Sequence, residues 1–224
     1  MTSPVDLLRI MHLSDSAFPS GAFAFSNGLE ALVRDGRANG RDEIEALLRD
    51  QIAQRWLDID RYYLSSAHEA AGNAEMIDAL DADCEVTNTT PALRNASLAI
   101  GRSLLMSHAR IGTVGVDSFR ERIAAGSGKG HAAVVLGTLA YGAGLPRAYA
   151  EAGALHGQLA GYVSAAIRLG RIGALEAQGI LSRTIAHVGH RLADPAPRKP
   201  AGFAPLIEIA AARPNGTLAR LFAN

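Results

Sequence analysis

Cysteine and lysine are scarce in this sequence, and each scarcity excludes a class of protein. Cys84 is the only cysteine among 224 residues, so neither a disulfide framework nor a cysteine-based metal site is expected. Lysine occurs only at Lys129 and Lys199, and the 22 basic residues, nearly all arginines, balance 22 acidic ones. A net charge of zero gives no electrostatic basis for binding nucleic acid or an anionic membrane.

Long hydrophobic runs are also missing. The longest uncharged stretches, 131–146 and 152–167, are too short for a membrane span and contain His, Gln or several Gly. The N-terminus shows no basic region followed by an apolar core of signal-peptide length. Together with the single cysteine, these features predict a soluble protein in the reducing cytoplasm.

Alanine dominates the composition, and apolar residues recur at helical spacing along most of the chain. Bounded by Gly, Pro and Asn-Gly turn signals, the predicted helices cover 5–14, 26–34, 41 to the break at 72–73, 74–86, 91–110, 114–125, 131–141, 147–168, 174–192 and 206–212. No convincing strand is found. The sequence therefore predicts an all-α fold, with one domain of about ten helices over 1–192 and a Pro-rich linker and extended, partner-docking tail over 193–224.

Within the first predicted helix, Leu7, Leu8 and Met11 are expected to face the core.

The stretch that follows, residues 13–30, places a Pro, two Gly and three Phe between two helices. Pro19 fixes its own φ and biases Phe18 toward extended geometry, and Gly21 lets the backbone reverse.

We call residues 13–30 the elbow. Phe18, Pro19, Gly21 and Phe23 are predicted to hold its shape. The elbow is either a buried structural corner or a preformed recognition surface, and its sequence alone does not separate the two.

A second pattern is a stripe of small residues, Gly153, Gly157, Gly161 and Ala165, spaced four apart on one predicted helix. Small side chains let another backbone approach closely. The stripe indicates either a tight helix contact inside the monomer or a self-association interface.

No catalytic constellation is found. The Gly-rich loop at 126–130 departs from the Walker pattern, because Gly130 follows Lys129, and it is interpreted as an interhelical loop. The serines of the elbow lack any local nucleophile signature. His187 and His190 are weak metal candidates at i, i+3 spacing, and exposed helix-end histidines are the alternative interpretation. We therefore predict no enzyme activity and no cofactor.

The C-terminal tail keeps Arg220, Leu221 and Phe222 after a Pro-rich lead. Terminal segments are usually loose, and a tail with Arg beside apolar residues is typical of a docking peptide. Simple fraying is the alternative.

Several stretches together resemble one known family. They are the elbow, Gly130-His131 with 134–137, 164–170 with Gly173 and Glu176, 204–210, and the terminal Arg220-Leu221-Phe222. In this order they are similar to the signature motifs of the UreF family of urease accessory proteins. In this chain Arg213-Pro214-Asn215-Gly216 replaces the family's usual His-Glu segment before Arg-Leu-Phe.

The resemblance implies an all-α, non-catalytic homodimer that bridges a second accessory protein, UreD (also called UreH), and the GTPase UreG. That assembly delivers nickel to apo-urease, and the UreF component is thought to modulate the GTPase. The resemblance also implies that the tail is ordered against UreD, with Arg220 inserted into it and Leu221 and Phe222 beside it. Asp15 and Glu30 are candidate contacts for the GTPase. The rival hypothesis is an all-α enzyme or small-ligand binder with a pocket at the elbow.

Overall fold

The computed structural model describes residues 3–213 and 222–223. Its α-helices are α1 (Pro4–Leu13), α2 (Leu29–Arg34), α3 (Arg41–Leu47), α4 (Arg61–Glu69), α5 (Ala74–Thr87), α6 (Pro91–Arg110), α7 (Val116–Ala124), α8 (Ala132–Gly142), α9 (Arg147–Arg168), α10 (Ala174–Val188) and α11 (Pro205–Ala212). Short 3₁₀ turns lie at Ala22–Ala24 and Gly189–Ala193. The described residues include no strand, so the all-α prediction is confirmed.

Helices α3 and α4 belong to one continuous helix from 41 to 69. Two π-helical stretches, Leu48–Ala53 and Trp56–Asp60, interrupt its α-helical hydrogen bonding. When this helix is counted once, ten α-helices lie within the described residues, as predicted. In the same part of the chain, no helix is both long and apolar enough to cross a bilayer.

The core is organised around α8, which packs between α4 and α6. Glycine makes this packing possible. A Cβ on Gly137 would lie 2.2 Å from the Leu64 carbonyl oxygen of α4, and one on Gly101 of α6 would lie 1.9 Å from the Gly130 oxygen. The almost wholly apolar 131–141 segment is therefore a central helix, as its sequence predicted.

The orientation of the first helix differs from the prediction. Leu7, Leu8 and Met11 are 45%, 67% and 67% exposed, so the prediction that they face the core was wrong. The other side of α1 contacts α9, where the missing side chain of Gly153 leaves room for Ile10 and Ser14. The apolar side of α1 consequently faces outward.

The Gly-rich loop at 126–130 is closed by a carboxylate of the chain itself. Buried Asp81 accepts hydrogen bonds from the backbone N–H groups of Lys129, Gly130 and His131 at 2.6–2.9 Å. These are the groups that a phosphate would need. The loop therefore fixes the start of α8, in agreement with its interpretation as an interhelical loop.

A buried ion pair ties distant parts of the chain together. The guanidinium of Arg61 donates to Glu151 Oε2 at 2.8 Å, and both side chains are less than 5% exposed. The same guanidinium donates to the carbonyl oxygens of Arg191, Leu192 and Asp194, at 2.7–3.2 Å. Arg61 thus joins α4 and α9 to the short turn after α10, where the Pro-rich segment begins.

We expect Arg61→Met to lower the free energy of unfolding by about 3 kcal/mol, because it leaves three carbonyls without a donor and leaves the buried Glu151 carboxylate with only Arg147 and Ser65 as partners. Urea denaturation followed by circular dichroism measures the change. Arg41→Met, which removes a surface pair with Asp42, is the control and should cost about 1 kcal/mol or less. Equal losses in the two variants would contradict a structural role for the buried pair.

Candidate partner-binding site

The elbow begins with a hydrogen-bonded turn at Asp15. Its Oδ1 accepts from the Ala17 N–H at 2.6 Å, and its carbonyl oxygen accepts from the Phe18 N–H at 3.0 Å. The residue is exposed. Asp15 therefore shapes the turn and also presents its carboxylate to solvent, where a partner can reach it.

The middle of the elbow is fastened to α6. Hydroxyls of Ser103 and Ser107 both donate to the Pro19 carbonyl oxygen at 2.9 Å. Gly21 follows with φ +74°, and a Cβ there would lie 3.2 Å from Ser103. A left-handed backbone beside a close neighbour favours glycine. Pro19 and Gly21 thus hold the elbow against α6.

Phe18 anchors the elbow in the second of the two buried clusters, and its ring lies between two histidines. The ring centroid of Phe18 is 5.6 Å from that of His12 and 5.4 Å from that of His108. His108 is buried and hydrogen-bonds to Thr113 Oγ1 at 2.8 Å. Burial and, secondarily, the nearby His12 lower the pKa of His108 to about 4.

The end of the elbow is covered by the C-terminal segment. Gly28 has φ +82°, and a Cβ on it would lie 2.8 Å from the Ile207 carbonyl oxygen of α11. Ile207 and Ala210 are buried in this contact region. Glu30, in the first turn of α2, is half-buried, and its N–H donates to Ser26 Oγ at 3.4 Å.

The chain end also reaches the elbow. Phe222 is 4% exposed and belongs to the larger core cluster, whereas Phe23 is 41% exposed. The guanidinium carbon of Arg168 lies 4.2 Å from the Phe222 ring centroid and 5.4 Å from that of Phe23. Sequence reasoning missed Arg168, since no local pattern links it to either ring.

Arg220 and Leu221 lie outside the described residues. Their assignment as partner-binding residues, like the division of the chain at 192 and 193, stays a prediction. Phe222, which the tail hypothesis grouped with them, is placed against the chain's own elbow.

The small-residue stripe divides into two parts. Gly153 is covered by α1, but no heavy atom lies within 4 Å of a Cβ built on Gly157 or Gly161. Gly157 is exposed. The first glycine therefore serves a helix contact inside the monomer, and the other two leave a smooth, open strip on α9.

The metal candidates His187 and His190 are exposed near the end of α10. Nowhere in the described chain do three or more His, Cys, Asp or Glu side chains gather in a way that could hold a metal ion. The arrangement matches the alternative interpretation of exposed histidines at a helix end.

Two concave features bear on the rival pocket hypothesis. A cavity of about 20 Å³ lies where Asn27 of the elbow meets Arg55, Asp60 and Ile207, and it has room for about one water molecule. A wider open groove, which includes Tyr62 and Met76, lies away from the elbow residues. Neither feature gives the elbow a pocket of small-ligand size.

The lowered pKa of His108 predicts a pH effect on stability. Because the unfolded pKa is about 6.5, protonation favours the unfolded chain, and His108 should remove about 2 kcal/mol of stability between pH 7 and pH 5. Urea denaturation at the two pH values, in the wild type and in His108→Gln, measures this contribution. The variant should show a weaker pH dependence, and His156→Gln, at an exposed site, should not. An unchanged pH dependence in His108→Gln would contradict the assignment.

Comparison with known proteins places this architecture in a family. The UreF family model matches residues 38–185. The urease accessory protein UreF of Trichodesmium erythraeum is 32% identical over 190 residues, which cover 80% of this chain and 78% of that protein. The UreF proteins of Actinobacillus pleuropneumoniae and of Haemophilus influenzae strain PittGG are 27% and 28% identical, over 77% and 80% of this chain and 77% of each relative. The chain therefore belongs to the UreF family of urease accessory proteins.

Proposed function

We propose that this chain is a cytoplasmic, non-catalytic urease maturation factor that bridges UreD and the GTPase UreG while nickel is delivered to apo-urease. Its membership of the UreF family carries the proposal, since the relatives are named urease accessory proteins. The bridging role, the effect on the GTPase and the nickel step come from the resemblance of the sequence motifs. The protein would act through surfaces that bind other proteins.

The physical features of the chain support a scaffold. The elbow, α11 and Phe222 form one continuous region, so the proposed docking segments lie together. The Gly-rich loop is already occupied by Asp81. A protein that acts by binding other proteins needs surfaces for that binding and no reactive centre of its own.

The tail gives the first test. Arg220→Ala should reduce capture of UreD at least tenfold, because truncation of an interface arginine anchor commonly costs more than about 1.4 kcal/mol. A pull-down with UreD under reducing conditions measures capture, and circular dichroism checks that the helical fold is kept. Arg198→Ala, in the Pro-rich segment, is the matched control and should bind as the wild type does.

Two results would count against this assignment. Failure of the wild-type chain to capture UreD would undermine the scaffold hypothesis as a whole. Normal capture by Arg220→Ala would place the UreD contact elsewhere on the chain.

We also propose that the chain forms a homodimer through the outer side of α1 and the open strip of α9. The exposed apolar side chains on α1 are Val5, Leu7, Leu8 and Met11. They lie on the helix that covers Gly153, next to the part of α9 that carries Gly157 and Gly161. An apolar helix face beside a strip without side chains favours close helix packing between subunits.

Gly157→Leu tests the dimer. The new side chain fits the open space of the monomer but blocks close approach of a second subunit, so the dimer dissociation constant should rise at least tenfold, by the rule of about 1.4 kcal/mol per tenfold. Size-exclusion chromatography with light scattering reports the mass. Gly179→Leu on α10 carries the same substitution outside the strip and should stay dimeric. A Gly157→Leu variant as dimeric as this control would exclude the strip from the interface.

Asp15 and Glu30 remain the proposed contacts for the GTPase. Asp15 is better placed for this role, since it is exposed, whereas Glu30 is half-buried in the first turn of α2. A carboxylate on a fixed turn suits recognition of a basic group on a partner.

A further inference from the structure

The elbow ends in a tight turn with a left-handed backbone. Asn27 has φ +50° and Gly28 has φ +82°, and the Leu29 N–H donates to the Ser26 carbonyl oxygen at 3.1 Å. Glycine adopts this conformation freely, whereas asparagine adopts it at a cost in free energy that the surrounding structure has to offset. In the described part of the chain, Asn27 is the only residue other than glycine with a positive φ. The surroundings of Asn27 must therefore hold it in place.

One side of Asn27 faces the small cavity of about 20 Å³ between the elbow and the core. The side chains around it come from separate parts of the chain, namely the elbow, the long helix from 41 to 69, α6, α9 and α11. The polar ones are Asn27, Arg55, Asp60 and Gln158, and the apolar walls are Ile52, Leu93 and Ile207. A space of this size and polarity suits a single water molecule.

The guanidinium of Arg55 brings a buried donor to this cavity. Its Nη1 donates to Asp60 Oδ2 at 2.8 Å, and its Nη2 donates to Asn88 Oδ1 at 2.7 Å. Among the described residues, the buried Nε has no hydrogen-bond partner. Glu208 Oε1 lies 3.8 Å from it, which is too far for a direct hydrogen bond. Because a buried donor without an acceptor costs free energy, an acceptor is expected beside Arg55 Nε.

The charges around the cavity select the kind of molecule that fits. Arg55 would repel a cation, and Asp60 would repel an anion. An apolar molecule would leave Arg55 Nε without an acceptor. The side-chain amides of Asn27 and Gln158 each offer both a donor and an acceptor. The cavity thus requires a small neutral molecule that accepts and donates hydrogen bonds at the same time, and water is such a molecule.

We propose that one ordered water molecule is bound in this cavity as part of the fold. It accepts a hydrogen bond from Arg55 Nε and donates to side-chain oxygens of Asn27, Asp60 or Gln158. These bonds join the end of the elbow to the long helix and to α9, and so stabilise the left-handed turn at Asn27. The inference goes beyond the proposed function and does not depend on any partner protein.

A crystal structure of the free chain, at a resolution that shows ordered water, tests the site directly. It should show one water molecule in the cavity, about 2.7–3.2 Å from Arg55 Nε and from at least one oxygen of Asn27, Asp60 or Gln158. A cavity without density would overturn the proposal, and so would a direct hydrogen bond from Arg55 Nε to Glu208.

Magnetic relaxation dispersion of water ¹⁷O, which counts long-lived bound waters, tests the site in solution. Gln158→Met keeps the approximate size of the side chain but removes a polar partner. It should lower the count by one and raise the equilibrium constant of unfolding about fivefold, the equivalent of about one hydrogen bond. Gln178→Met makes the same substitution at an exposed position of α10 and should match the wild type in both measurements.

A Gln158→Met variant that keeps every long-lived water of the wild type, with an unchanged equilibrium constant of unfolding, would overturn the proposed site. If this variant does not fold, the crystal structure of the wild-type chain decides alone.

Discussion

The buried pair of Arg61 and Glu151 is the interaction on which the path of the chain depends. The attraction between Arg61 and Glu151 joins α4 to α9. The other donors of Arg61 hold the carbonyl oxygens of Arg191, Leu192 and Asp194, where the Pro-rich segment begins. The C-terminal segment continues from this point, and α11 lies against Gly28 at the far end of the elbow.

The helices and their approximate bounds could be predicted from the sequence, because Gly, Pro and apolar periodicity are local signals. The central position of α8 could be predicted as well, because its segment is almost wholly apolar. The outward orientation of the apolar side of α1 could not be predicted. Leu7, Leu8 and Met11 form an apolar face, and periodicity does not tell whether the same chain or another covers that face. The Arg61–Glu151 pair was equally invisible, since nothing local joins the two residues.

The candidate site was predictable in part. Phe18, Pro19 and Gly21 were identified because proline, glycine and aromatics mark a turn that must pack. The sequence did not reveal that the elbow and the chain end meet, because the contact joins Phe23, Arg168 and Phe222 from three separate segments. The elbow and the described residues of the chain end therefore lie together, and the small-residue stripe divides into a covered part and an open part.

The central claim is that this chain brings UreD and UreG together. Size-exclusion chromatography with light scattering on mixtures of the three proteins, with and without GTP, tests it most directly. The account predicts one complex that contains all three, and separate elution of UreD and UreG when this chain is left out. Elution of UreG apart from a complex of UreD and this chain, under both nucleotide conditions, would contradict the account.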